Sequence, residues 1–226
     1  MMNLGGLQKF SLMDYPDKVS CVVFTSGCNL RCPYCHNSEL IEMRDSGVSE
    51  EDFFEFLDSR KEMLDAVVVS GGEPTIHSDL PEFLERIKDK GLLVKLDTNG
   101  TDPEMLERIV GRGLVDYIAM DVKTSPENYG RVGGRKFSGE VRRSVEIVKD
   151  FESHEFRTTM APGVMDEDDL TSIAELVDGA ERYYAQEFRS ESVLDEDIKL
   201  ETGKMDADRA IKMVKDSVNM CEVRES

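Results

Sequence analysis

Short apolar runs alternate with longer amphipathic stretches along the chain, the pattern of βα units wound around a parallel sheet. The runs predict strands near Val19–Thr25, Ala66–Ser70, Leu92–Asp97, Tyr117–Lys123, Phe156–Met160 and Tyr183–Phe188. Between them, Leu80, Phe83, Leu84 and Ile87 fall at i, i+3, i+4 and i+7, as do Val141, Ser144, Val145 and Val148, and Leu170, Ile173, Ala174 and Val177. Each set marks one buried helical stripe. Ser49 ahead of Glu50-Glu51-Asp52, and Asp102-Pro103-Glu104 ahead of Met105, read as helix starts. Six such units predict an α/β fold, a partial (β/α)6 open barrel of parallel strands related to the TIM barrel. A closed eight-unit barrel takes about 250 residues.

The polar motifs gather at one end of these strands. Cys28–Cys35 follows the first, Gly71-Gly72-Glu73-Pro74 the second, Asp97-Thr98-Asn99-Gly100 ends the third, and Asp121 and Lys123 end the fourth. In parallel βα architectures the βα loops converge at the carboxyl ends of the strands, where sites are built. Chance placement of all four motifs there is a poor explanation.

The 226 residues suit one domain over 1–226, with a core over about 18–188. Residues 189–226 read as an acidic loop, then a helix with Ala207, Ala210, Ile211, Val214 and Val218 on the stripe that packs on the sheet. Charge narrows the partners further: 28 Lys and Arg against 47 Asp and Glu give a formal net charge of −19. Nucleic acid is therefore not an expected partner. No run approaches the roughly 18 apolar residues of a membrane span, and Met1–Gly6 lacks the features of a targeting segment. With clustered thiols that must stay reduced, the cytoplasm is the expected compartment.

Those thiols are the chemistry. Three of five cysteines are spaced CxxxCxxC in Cys28-Asn29-Leu30-Arg31-Cys32-Pro33-Tyr34-Cys35. Cysteine thiolates are the usual ligands of iron–sulfur clusters, and a four-iron cubane normally takes four. Three leave one iron open to a small molecule. The competing reading is a structural zinc site, which closes its coordination with four ligands. His36 could be the fourth, although beside Cys35 it would strain a tetrahedron, and no second CxxC occurs. An odd cysteine count gives no disulfide framework. Cys21 reads as a small apolar strand residue, Cys221 as incidental, and His77 and His154 as structural or exposed.

CxxxCxxC with Tyr34 before the last cysteine is similar to the signature of the radical S-adenosylmethionine enzymes. Within that superfamily, Gln8-Lys9-Phe10-Ser11-Leu12-Met13-Asp14-Tyr15-Pro16 and Cys35-His36-Asn37 resemble the activases of glycyl-radical enzymes. The anaerobic ribonucleoside-triphosphate reductase activating proteins are the nearer likeness, and the pyruvate formate-lyase activases a more distant one.

The resemblance implies roles residue by residue. Cys28, Cys32 and Cys35 would ligate a 4Fe–4S cluster, and Gly71, Gly72 and Glu73 would meet the amino group of S-adenosylmethionine. Lys123 would pair with its carboxylate, Asn37 and Arg157 would also contact it, and Tyr34 would lie by the adenine. Asp97, Thr98, Met120 and Asp121 match positions that hold a monovalent cation in pyruvate formate-lyase activases. Gln186 stands where those activases carry a ribose-contacting histidine. A reduced cluster would split S-adenosylmethionine, and the resulting 5′-deoxyadenosyl radical would take hydrogen from a glycine of a large partner enzyme. The implied partner is anaerobic ribonucleoside-triphosphate reductase, with flavodoxin or ferredoxin as electron donor. Arg131, Arg135 and Lys136, basic residues in an acidic chain, are candidates for docking that partner. Two rival readings stay open: a radical enzyme acting on another peptide or a small molecule, and a zinc or iron–sulfur interaction domain without catalysis.

Overall fold

The computed structural model describes residues 1–44, 47–133, 137–189, 193–195 and 207–224. The chain divides into two compact units: Met1–Asn29, Glu39–Thr98 and Glu104–Ile118 form the first, and Leu30–Ser38, Asn99–Pro103 and Ala119–Ser226 the second.

In the first unit, β1 (Leu4–Ser11) pairs antiparallel with β2 (Ser20–Thr25), and β2, β3 (Ala66–Gly71) and β4 (Leu93–Thr98) are parallel neighbours. The run Ala66-Val67-Val68-Val69 is wholly buried, as expected of a parallel strand covered on both faces. One face carries Val22, Ala66 and Val68 in a core with Tyr15 and Tyr117, against which Phe24 and Leu93 pack. The helices are α1 (Glu50–Arg60), α2 (Leu80–Lys88) and, from Glu104 onward, α3 (Pro103–Gly111). The rings of Phe53 and Phe54 on α1 and Phe83 on α2 pack with centroids 5.2 to 5.4 Å apart. Ser49 caps α1 as its sequence predicts. Its hydroxyl accepts from the Asp52 N–H at 3.0 Å, and the Asp52 carboxylate accepts from the Ser49 N–H at 3.1 Å.

The strand β5 (Tyr117–Asp121) is divided, its first two residues belonging to the first unit and the rest to the second. The second unit also contains the parallel neighbours β6 (His154–Thr159), β7 (Arg182–Gln186) and β8 (Met220–Arg224), in the register Arg157↔Tyr184 and Gln186↔Arg224. Its helices are the short α4 (Gly130–Gly133), then α5 (Ser138–Lys149), α6 (Glu167–Leu176) and α7 (Ala207–Val214).

All six expected strands are present, with ends within two residues of the prediction. Two more were not anticipated. β1 contains two glycines and three consecutive exposed residues, so it shows no alternation to read. β8 is largely exposed and replaces the expected continuation of the last helix, which stops at Val214 before Val218. Among the described residues no helix is long and apolar enough to cross a membrane.

Candidate active site

In the first unit, the glycine pair after β3 lies directly against the exit of β2. Gly71 has φ of +121°, and a Cβ there would stand 2.3 Å from the Thr25 nitrogen. A Cβ on Gly72 would stand 2.1 Å from the Gly27 carbonyl oxygen. Only side-chain-free backbone fits so closely. The approach is used for hydrogen bonding: Gly72 N–H donates to the Thr25 carbonyl at 2.9 Å, and Glu73 N–H to the Gly27 carbonyl at 2.8 Å. Gly27 and Cys28 in turn donate to the carbonyls of Leu40 and Ile41 at 2.7 and 2.9 Å. The Gly71-Gly72 loop thus fixes the backbone that presents Cys28.

Glu73 is buried, and its Oε1 accepts from Thr75 N–H at 3.1 Å, from Thr75 Oγ1 at 2.5 Å and from Thr98 Oγ1 at 2.7 Å. This oxygen ties the loop to the end of β4. Asp97, the neighbour of Thr98, points to the opposite face of the strand. There its Oδ1 lies 3.1 Å from the ammonium of Lys95.

In the second unit, Cys35 N–H donates to the Cys32 carbonyl at 3.0 Å, turning the chain between those two thiols. Arg31 N–H donates to the Val132 carbonyl at 2.8 Å, and Gly133 leaves room for Leu30, whose Cδ2 would lie 2.6 Å from an added Cβ. Tyr34 is buried, and its hydroxyl donates to the Lys123 carbonyl at 3.3 Å. Burial, then the neighbouring Cys32, pushes its phenol well above the ordinary value. The Tyr129 hydroxyl accepts from Lys123 N–H at 3.1 Å, so Lys123 is held by two aromatic residues.

Asp121, Lys123 and Arg157 form a compact charged group. Arg157 Nε donates to Asp121 Oδ1 at 2.8 Å, and Lys123 Nζ to Asp121 Oδ2 at 3.1 Å. Burial opposes a charged Asp121, but Arg157 and then Lys123 outweigh it and hold the carboxyl well below the usual range. Burial likewise lowers Lys123, and Asp121 followed by Cys32 more than reverses that. Both groups are ionised at neutral pH. Two cations around one carboxylate leave a net positive charge, suited to an anionic ligand group. Behind Arg157, buried Glu155 takes Arg224 of β8 at 2.9 Å, and that guanidinium stacks 3.6 Å over the Tyr184 ring. The unanticipated strand therefore neutralises Glu155, which lies 3.8 Å from Arg157.

The remaining predicted residues are placed as follows. Met120 is fully buried, and its Cε would lie 2.0 Å from a Cβ on Gly100, so packing accounts for its side chain. Asn37 is exposed. Gln186 ends β7, with its Oε1 3.5 Å from the Thr159 hydroxyl. His36 Nε2 lies 2.7 Å from the Arg189 carbonyl, and its ring stacks on Phe188. His77 is buried, which lowers its basicity, and His154 lies between the Phe151 carbonyl at 2.6 Å and the Glu181 N–H at 3.1 Å.

Arg131 is committed within its unit, donating to Asp169 Oδ2 at 3.0 Å and to the Val164 carbonyl at 3.2 Å. The other two basic docking candidates, Arg135 and Lys136, lie outside the described residues. Asp169 also accepts from the Ser125 hydroxyl, from Asn128 Nδ2 at 2.7 Å and from the Asp166 N–H at 3.1 Å. Burial raises its carboxyl, but these donors and Arg131 prevail and leave it below the ordinary carboxylate value. A depressed folded-state pKa contributes stability above the unfolded pKa, and that contribution disappears as pH falls through the folded one. Asp169→Asn is expected to cost about 2 kcal/mol at neutral pH, measured by urea unfolding. The difference from the unsubstituted chain should be full above the unfolded aspartate value of about 3.9 and shrink below it. A pH-independent difference would refute this origin.

The sequence reading missed Lys95, Tyr129, Glu155, Asp169 and Arg224. Only Lys95 left a signal, as a lysine inside the apolar run Leu92-Leu93-Val94-Lys95-Leu96, two residues before Asp97.

The donor set fits a cluster. None of Cys28, Cys32 and Cys35 is in a disulfide; in the first unit Cys28 N–H is tied to the Ile41 carbonyl, and in the second Lys123 supplies positive charge near Cys32. Among the described residues no three His, Cys, Asp or Glu side chains converge as for a single metal ion. A cubane takes each thiolate on a separate iron and needs no such convergence.

Comparison with known proteins gives concordant results. Residues 22–177 match the Radical SAM superfamily. A Methanocaldococcus jannaschii protein named, provisionally, as a glycyl-radical enzyme activating enzyme is 37% identical over 203 residues, 87% of this chain and 84% of that protein. The pyruvate formate-lyase-activating enzyme of Listeria monocytogenes is 35% identical over 120 residues, 48% of each chain. Among solved structures, Streptococcus suis SuiB bound to precursor peptide SuiA superposes with a TM-score of 0.65 at 14% identity, covering 89% of this chain and 48% of that one. That last likeness concerns the fold, an α/β architecture with parallel strands, consistent with the partial barrel.

Proposed function

Because the chain belongs to the radical S-adenosylmethionine superfamily and, within it, to the glycyl-radical enzyme activating enzymes, we propose that it generates a glycyl radical on anaerobic ribonucleoside-triphosphate reductase. The observation that carries this reading is CxxxCxxC at the exit of β2, three cysteines outside any disulfide with no fourth cysteine in the motif. The 4Fe–4S group, when bound, supplies one electron to the sulfonium of S-adenosylmethionine and so yields the 5′-deoxyadenosyl radical.

The chain's own residues bind and orient. Cys28, Cys32 and Cys35 hold the cluster. Gly71 and Gly72 bring bare backbone to the amino group of the methionyl moiety, with Glu73 as the strut that fixes their loop. Lys123, held in place by Tyr34 and Tyr129, pairs with the methionyl carboxylate, and Arg157 and Asp121 set the charge around it. Asn37 and Gln186 serve the nucleoside end. A flavodoxin or ferredoxin delivers the electron, and residues 1–226 act as one functional domain in the cytoplasm. The reductase assignment rests on the likeness of Gln8–Pro16 and Cys35-His36-Asn37 to the reductase activases, and on the pairing of Gln186 with Phe188, which resembles the same branch.

The test is anaerobic incubation of the reconstituted protein with S-adenosylmethionine, a reductant and the reductase. The expected result is a glycyl-radical doublet in electron paramagnetic resonance and one 5′-deoxyadenosine per radical. S-adenosylmethionine cleavage without a doublet on the reductase, and with one on another glycyl enzyme, would correct the partner. Absence of cleavage would refute the reading.

A further inference from the structure

We propose that Lys95 is a built-in cation of the S-adenosylmethionine site, a positioning residue whose ammonium holds Asp97 and takes the place of a dissociable monovalent ion there. The proposal rests on the activase reading and deepens it. Lys95 lies in mid-strand on β4, beside Val68 in the sheet, on the face that carries Val22, Ala66, Val68 and Leu93. Its side chain is 3% exposed. An ammonium in such surroundings is costly unless paired. Here it has two oxygen partners: Asp97 Oδ1 at 3.1 Å and the Asp14 carbonyl at 2.7 Å. The Tyr117 ring centroid lies 5.9 Å away, and that ring packs on Tyr15.

Asp14 is placed by its own turn. Its carboxylate accepts from the Ser11 hydroxyl, which in turn accepts from the Met13 and Asp14 N–H groups, both at 3.2 Å. The segment Ser11–Tyr15 therefore seats a lysine of β4 whose ammonium joins the β1–β2 connection to the carboxylate near the end of β4. A carboxylate and a backbone carbonyl are also what a hard monovalent cation would take. In this chain the lysine already occupies both.

Two measurements test the assignment. The first needs no cofactor: urea unfolding of the apoprotein carrying Lys95→Met, Asp97→Asn, or both. Each single change should lower the folding equilibrium constant at least about 30-fold, because each removes one side of an ion pair whose ammonium is buried. The double change should cost at least about tenfold less than the product of the two. Independent, multiplying effects would overturn the pairing. The second is binding of S-adenosylmethionine to the reconstituted protein in choline chloride and in potassium chloride at equal ionic strength. The unsubstituted protein should bind equally in both, whereas Lys95→Met should bind at least tenfold more weakly in choline and recover in potassium. Potassium-dependent binding by the unsubstituted protein, or unchanged binding by Lys95→Met, would overturn the proposal. If Lys95→Met does not fold, Lys95→Arg, which keeps the charge, must remain potassium-independent. An unsubstituted protein that binds in neither salt would count against the activase reading, and the apoprotein cycle would still decide the pair.

Discussion

Replacing Cys32 with alanine is expected to abolish cleavage of S-adenosylmethionine while the fold survives. Cys32 is buried with 8% exposure, and the turn around it is held by backbone hydrogen bonds, Cys35 N–H to the Cys32 carbonyl among them. Alanine keeps those bonds and loses the thiolate that an iron requires. The same loss is expected for Cys28 and Cys35. The contrast lies in the other two cysteines. Cys21 sits on β2 and Cys221 on β8, and burial pushes their thiols up to about 12 and about 11. At neutral pH both are protonated and are poor metal ligands. Their alanine variants should retain iron and cleavage. The checks are iron content after anaerobic reconstitution, 5′-deoxyadenosine release, and far-ultraviolet circular dichroism for the fold. Retained cleavage in any of the three motif variants would remove the basis of the assignment.

Gly72→Ala should be among the most damaging single-methyl changes at the described glycines. The added carbon would stand 2.1 Å from the Gly27 carbonyl oxygen and 2.9 Å from that of Leu40, and both are backbone atoms in hydrogen bonds. Neither can rotate away as a flexible side chain could. Relief requires the loop after β3 to separate from the exit of β2, which breaks the Gly72–Thr25 and Glu73–Gly27 bonds. The expected cost is about 3 kcal/mol or more, the upper end of overpacking effects, read from the urea midpoint. Because Gly27 and Cys28 share that backbone, iron incorporation should fall with stability. Gly111→Ala is the counterpart. Gly111 ends α3 with nothing within 4 Å of an added Cβ, so alanine there should be neutral or stabilise by up to about 1 kcal/mol. Equal tolerance at both positions would contradict the packing account.

The parts of the fold legible in the sequence were those written as periodicity. Ala66–Gly71 could be read as a buried strand because every residue from Ala66 to Val69 is apolar, and Ser49 could be read as a cap because the acidic turn follows it. The positions of the cysteine, glycine and aspartate motifs at strand ends were legible for the same reason. β1 and β8 were not, because both are poorly buried and their stability comes from pairing with β2 and β7, which no local pattern records. The networks were hidden too. That Glu73 binds Thr98, that Arg224 neutralises Glu155, and that Arg131 serves Asp169 are long-range facts. Lys95 alone could have been suspected, since a lysine two residues from an aspartate on a buried strand shares its face.

The central claim is that three cysteines leave one iron of the cluster open to S-adenosylmethionine. Electron–nuclear double resonance on the reduced, reconstituted protein with S-adenosylmethionine carrying a nitrogen-15 amino group measures that contact directly. The account predicts a nitrogen-15 coupling large enough to require a direct bond from the amino nitrogen to iron, lost in the Cys32→Ala protein. A reduced cluster that shows no such coupling, with a fourth protein side chain on that iron, would contradict it.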